Sequence, residues 1–195
     1  SWLHCGMITI NGEKMSKSLG NFFTIREVLE KYHPEVVRYL LIASHYRSPI
    51  NYSEDSLREA KTALERFYNA LKGLPEAEPA AADEFVARFA AAMDDDFNTA
   101  GACSVLFELA REVNRLRDAD LAAAAALAAR LKALAGLLGV LQLEPEAFLR
   151  GDAAGRVDAA AVEALIEARL AARAAKDWAA SDQIRDQLSA MGVLL

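Results

Sequence analysis

Residues 53–71 read SEDSLREAKTALERFYNAL, and the spacing of their apolar side chains decides the fold class. Leu57, Ala60, Leu64, Phe67 and Leu71 recur at steps of three and four, which puts them on one face of an α-helix. Ser53 stands where an N-cap belongs, with Glu54 and Asp55 in the first turn near the positive end of the helix dipole. A helix with one apolar stripe must bury it against another element. The flanking sequence supplies the partners.

Downstream, two prolines and several small residues between Gly73 and Ala82 predict a linker. Asp83 caps the next predicted helix, with Phe85, Phe89 and Met93 on one face. Asn98 or Thr99 caps a third, carrying Val105, Leu109, Val113 and Leu116. Asp120 caps a fourth, carrying Leu127, Leu131, Leu134, Leu138 and Leu141. Four such stripes can share a core as an antiparallel bundle. A second linker is expected at Gly151–Asp158, then two helices at about 159–173 and 177–190, with Gly192 as a C-cap glycine. Upstream, Met7-Ile8-Thr9-Ile10 alternates and runs into Asn11-Gly12, a strand entering a tight hairpin. Glu13 to Asn21 has no apolar period and reads as a mobile loop. Thr24 with Glu27 forms a capping box for a helix, and Pro34 opens another that runs to about Ser44. His45 to Tyr52 reads as a loop. The expected architecture is mainly α. A short β-hairpin and loop come first, then the bundle, then a small helical segment at the end.

The chain has 195 residues, 53% hydrophobic and 26% charged, which excludes a disordered tail. No apolar run reaches the roughly 18 residues of a membrane span. Two cysteines in a chain this long do not make a disulfide framework, and Ser1-Trp2-Leu3-His4-Cys5 lacks the pattern of a secretory signal. A soluble cytoplasmic protein, monomeric and without membrane partners, is expected. The net charge of −6 argues against a wholesale electrostatic nucleic-acid binder. The charge is uneven: residues 1–50 carry six basic and four acidic side chains, a net of +2, which leaves −8 for the rest. Polyanion chemistry is therefore expected near the N-terminus. Both ends read like cuts through a longer protein.

The stretch richest in chemistry is Lys14-Met15-Ser16-Lys17-Ser18. Two ammonium groups three residues apart, two hydroxyls and free backbone N–H groups on a loop can close over a triphosphate. Charge growing on the phosphates in a transition state would be met by ammonium. Elsewhere, no Cys/His pair has metal-ligand spacing. His4 and Cys5 alternate across an expected strand, and Cys5 and Cys103 read as small core residues. Asp94-Asp95-Asp96 reads as a helix boundary anchored by Phe97 rather than a metal site. In His45-Tyr46-Arg47-Ser48, Arg47 could pair with a phosphate and Tyr46 could stack on a base. Equally, Arg47 could make a structural ion pair while Tyr46 and Tyr52 pack the loop onto the bundle. Trp178, with Ile184, Leu188 and Met191, reads as the core of the final helix pair.

Asn11 to Asn21, with the strand before it, resembles the signature loop of class I aminoacyl-tRNA synthetases. Further residues resemble the bacterial cysteinyl-tRNA synthetases: Phe22-Phe23-Thr24-Ile25-Arg26, Val36-Val37-Arg38-Tyr39, His45 to Ser53, Met93 to Thr99, and Lys176 to Asp182. The resemblance runs along essentially the whole chain and corresponds to the C-terminal part of that family. It implies that the full enzyme joins cysteine to its tRNA using ATP. It also implies that Lys17 contacts ATP, that Lys14 orders the closed loop, and that Ser16 and Ser18 add contacts. Residues 1–52 would be the ATP-loop and stem-contact segment, 53–143 the bundle, 144–157 a linker and 158–195 the start of an anticodon-binding domain.

By the same resemblance, Arg47 would lie under the inner corner of the tRNA, while Arg173 and Asp182 would face the anticodon. The family's nucleotide-binding domain and its thiol-binding zinc ligands would lie upstream of this chain, which alone is expected to be inactive. Two alternatives stay open at this point. One is a related ligase joining cysteine to an amino sugar, and the other a non-catalytic helical module that binds RNA or protein.

Overall fold

The structure, a computed structural model, describes residues 2–15, 24–79, 83–150, 159–175 and 177–190. The chain divides into two compact units, residues 1–149 and 150–195.

The first unit opens with β1 (Ile8–Ile10) and β2 (Glu13–Lys14), joined by a turn in which Asn11 and Gly12 both take positive φ, 50° and 83°. That is the hairpin expected from the Asn-Gly pair. The loop reading from Glu13 needs correction at its start, because Glu13 and Lys14 pair antiparallel with Ile10 and Thr9. The remainder of that loop, from Ser16, lies outside the described residues. His4 and Cys5 precede the strand rather than forming part of it.

α1 (Ile25–Leu29) starts at the Thr24–Glu27 capping box, and α2 (Pro34–Ile42) starts with Pro34 at its first position. The segment read as a loop at His45–Tyr52 contains a third strand, β3 (Ile50–Tyr52), parallel to β1 with Ile8 opposite Ile50. The sheet order is β2-β1-β3. Three residues are too few to show a period of two, so only the long-range pairing reveals this strand.

The helices of the bundle are α3 (Glu54–Leu71), α4 (Glu84–Asp94), α5 (Thr99–Leu116) and α6 (Leu121–Leu137), with α7 (Pro145–Leu149) after them. Each expected cap is in place: Ser53, Asp83, Asn98 and Asp120 accept from the backbone N–H three residues on. Every residue of the α3 stripe is buried. Phe67 stacks on Phe107 of α5 at 4.4 Å and meets Tyr39 of α2 edge-on, so α3 sits at the centre of the core. Leu64, Leu106, Leu109, Val113 and Leu131 are fully buried, each contributing about 1.5–3 kcal/mol of transfer free energy.

The fourth stripe differs from expectation at its end. α6 stops at Leu137, and Gly139 N–H and Val140 N–H turn back onto the carbonyls of Gly136 and Ala135 in a Schellman motif. Leu138 and Leu141 are still buried, Leu141 from a turn at φ 60°. Phe148 of α7 stacks on Tyr68 at 4.1 Å, so the start of the stretch read as a linker packs on α3.

The second unit holds α8 (Ala159–Ala174) and α9 (Trp178–Ala190), packed on each other. Asp177 caps α9 by accepting from Ala180 N–H at 3.0 Å. Leu188 and Ser181 are buried. The second expected linker, Gly151–Asp158, and the expected cap at Gly192 lie outside the described residues. Among the described residues no helix is long and apolar enough to cross a membrane.

Candidate functional site

The N-terminal sheet leads into the stretch expected to contact phosphate. The Asn11–Gly12 turn reverses the chain so that β2 carries Lys14, an exposed residue, toward the stretch containing Ser16, Lys17 and Ser18. Those three residues lie outside the described residues. The described residues before them form the hairpin and its ties to β3. Gly12 N–H donates to the Asn51 side-chain carbonyl at 2.8 Å, and Asn11 N–H donates to Tyr52 O at 3.2 Å, tying the turn to β3. At the other end of β1, Gly6 N–H donates to Tyr46 O at 2.7 Å. A Cβ at Gly6 would lie 2.1 Å from Ser48 O, so only glycine permits this approach.

Of the two readings of the 45–48 loop, the ion pair is present. Arg47 Nε lies 2.7 Å from Asp96 Oδ2, and Arg47 Nη2 and Tyr46 Oη donate to Asp96 Oδ1 at 3.0 and 2.7 Å. His45 stacks on Tyr46 at 4.8 Å, and its Nε2 is 3.9 Å from Asp96. The hydrogen bond from Tyr46 and the guanidinium of Arg47 hold the Asp96 carboxyl below the usual carboxylate range, and the same contact with Asp96 raises Tyr46. Asp94 ends α4, Asp95 is its C-cap and Asn98 caps α5, so the acidic run is a helix boundary as expected. Phe97 does not anchor it: the ring is 61% exposed and its backbone takes φ 52°.

A second polar cluster is buried under the bundle. By position alone, Glu35 in the first turn of α2 would be an exposed acid near the positive end of the helix. Instead it is 6% exposed and accepts from Tyr68 Oη at 2.7 Å, Gln142 N–H at 2.8 Å and Leu141 N–H at 3.1 Å. It joins α2, α3 and the turn after α6. Burial, with the hydrogen bond to Glu35, pushes the Tyr68 hydroxyl well above its ordinary range. No local sequence signal marks Glu35, because its partners lie 33 and more than 100 residues away.

In the second unit, Arg173 lies exposed in the last turn of α8, and Asp182 is exposed on α9, where Arg185 pairs with it at 3.0 Å. Trp178 corrects the core reading: its side chain is 60% exposed. It stands four residues before Asp182 and therefore on the same face of α9. Cys103 is buried as expected, and burial raises its thiol to about 11, whereas Cys5 is exposed. Among the described residues no three His, Cys, Asp or Glu side chains gather in a set that could hold a metal ion, so zinc has no fit to these residues.

Comparison with known proteins gives three matches in chain order. Residues 1–62 match the class I (C) tRNA synthetase catalytic domain, residues 88–142 the DALR domain, and residues 159–195 the cysteinyl-tRNA ligase anticodon-binding domain. The chain is 87% identical over all 195 residues to a cysteine–tRNA ligase of Pseudomonas aeruginosa and 80% identical to that of Stutzerimonas stutzeri. It spans 42% of the length of each. Among solved structures, the LeuRS–tRNA–LeuAMS ternary complex of Agrobacterium radiobacter superposes with a TM-score of 0.51 at 24% identity. The match covers 69% of this chain and 20% of that one, a likeness of fold alone. The catalytic-domain match does not favour a non-catalytic helical module, and the anticodon-domain match does not favour an amino-sugar ligase. By three domain matches in order and by identity along its whole length, the chain belongs to the cysteine–tRNA ligase family.

Proposed function

We propose that this chain is the part of a cytoplasmic cysteine–tRNA ligase that supplies the phosphate-contacting loop and the tRNA-binding helices. The full reaction activates cysteine with ATP and transfers it to its tRNA. The observation that carries the reading is the order of matches, catalytic domain, DALR domain and anticodon-binding domain, at 87% identity to a cysteine–tRNA ligase. In this reading residues 1–52 carry the loop and stem contact, 53–143 the bundle and 158–195 the anticodon contact. Lys17 meets charge that develops on the triphosphate, Lys14 orders the loop from the end of β2, and Ser16 and Ser18 add hydrogen bonds. In the second unit, the α9 face bearing Trp178 and Asp182, together with Arg173, contacts the anticodon. Exposed Trp178 supports this, since an aromatic plane beside charged side chains suits unstacked bases.

The test uses a protein of the relatives' full length carrying this sequence. Cysteine-dependent ATP–pyrophosphate exchange is expected from the wild type. Lys17→Ala should lower it about a hundredfold, as for loss of one preorganised donor worth about 2.7–4 kcal/mol. Lys14→Ala should lower it less. Normal adenylate formation by Lys17→Ala at saturating ATP would refute the assignment of the loop.

A further inference from the structure

Asp96 sits in the turn between α4 and α5, on a backbone that non-glycine residues adopt reluctantly. Asp96 takes φ 55° and Phe97 takes φ 52° in succession. Burial does not explain this, because Phe97 is exposed. What the turn delivers is a carboxylate with both oxygens engaged by the 45–48 loop, Oδ1 by Tyr46 and Arg47 and Oδ2 by Arg47. Arg47 Nε also reaches Tyr46 Oη at 2.9 Å, so the three side chains close on one another.

The opposite side of that loop holds the sheet. Tyr46 O accepts from Gly6, Met7 O accepts from Ile50 N–H at 3.0 Å, and the β1–β3 register runs to Ile10 opposite Tyr52. Asn51 then accepts from Gly12 in the hairpin turn. An unbroken run of contacts thus leads from the bundle to the hairpin that carries Lys14. A two-stranded hairpin is marginal alone and needs a platform. An ammonium that meets phosphate charge must be held to a fraction of an ångström to be effective.

We propose that Asp96 is a positioning residue for adenylate formation, holding the 45–48 loop against the bundle and thereby fixing the base of the signature hairpin. This rests on the function proposed above. The clasp is solvent-exposed, with Arg47 60% and Asp96 42% accessible, and exposed ion pairs contribute little to global stability. Position and stability are therefore separable by experiment.

Asp96→Asn keeps a residue that tolerates positive φ and removes the charge. Asp96→Gly relieves the backbone and removes the whole side chain. Both are made in a protein of the relatives' full length carrying this sequence, with Arg47→Ala and the Arg47→Ala/Asp96→Asn double variant. Cysteine-dependent pyrophosphate exchange is expected to fall about tenfold or more in kcat for both Asp96 variants, as for a misplaced reacting group. KM for cysteine should stay within about twofold and Tm should stay unchanged. The double variant should be no worse than the more severe single one, because both substitutions open the same clasp. Wild-type kcat in both Asp96 variants would overturn the proposal, as would a loss that disappears on cooling and tracks a lowered Tm. So would Arg47→Ala weakening tRNA binding while leaving exchange intact. A wild-type protein without any exchange would remove the function proposed above, and this inference with it.

Discussion

Replacing Glu35 by glutamine probes the joint between α2, α3 and the turn after α6. Oε2 of Glu35 accepts from Tyr68 Oη and Leu141 N–H, and Oε1 accepts from Gln142 N–H. A glutamine carbonyl can serve only one of these oxygen positions. If it faces Tyr68 and Leu141, the amide NH2 confronts the Gln142 N–H, and two donors are left opposed. Losing that bond costs about 1.5–3 kcal/mol, and the other two weaken by about 0.5–1 kcal/mol each as the charge is removed. Relief of the carboxylate's desolvation offsets part of this, leaving about 2–4 kcal/mol.

Tyr68→Phe should cost about 1.5–3 kcal/mol, since it also strips the acceptor from Leu143 N–H. Heat melts followed by far-UV circular dichroism should show Tm falling roughly 2–4 °C per kcal/mol for a chain of this length. That gives about 4–16 °C for Glu35→Gln. The double variant should lose less than the sum of the two, by about 1 kcal/mol or more. Single-variant effects below about 0.5 kcal/mol, or strict additivity, would refute the view that this cluster is one unit.

Leu109→Asp, at a fully buried position, should cost about 3 kcal/mol or more by burying an unpaired charge, read as a loss of urea resistance; Leu134→Asp should behave similarly. Arg117 donates to the carbonyls of Lys72, Ala70 and Asn69 at the end of α3, so Arg117→Ala should lower stability by about 1–2 kcal/mol. With Cys103 raised to about 11 from an ordinary value of 9.0, the unfolded thiol ionises first. The folded chain therefore binds more protons between those pH values, and Cys103 makes stability fall as pH rises through that window. Cys103→Ala should flatten that part of the wild-type pH profile. At pH 8, iodoacetamide followed by mass spectrometry should modify Cys5 first, because it is exposed and Cys103 is not.

The sequence by itself determined the four bundle helices, their caps and the hairpin turn. Those depend on residues within four positions of one another: Ser53 with Ser56, Asn98 with Gly101, and Asn11 with Gly12. The Lys14–Ser18 motif stands out in the sequence for the same reason, since its two ammonium groups and hydroxyls fall within five consecutive residues. Trp178 was misread because an apolar side chain on a short helix looks the same in sequence whether it faces a partner or solvent. Tertiary structure alone decided the pairing of β3 with β1, the burial of Glu35 beneath Tyr68 and Leu141, and the clasp of Arg47 by Asp96 across 49 residues. The physical reason is that a hydrogen bond or ion pair is set by distance and direction in space. Chain separation leaves those undetermined until the apolar stripes of the bundle have packed.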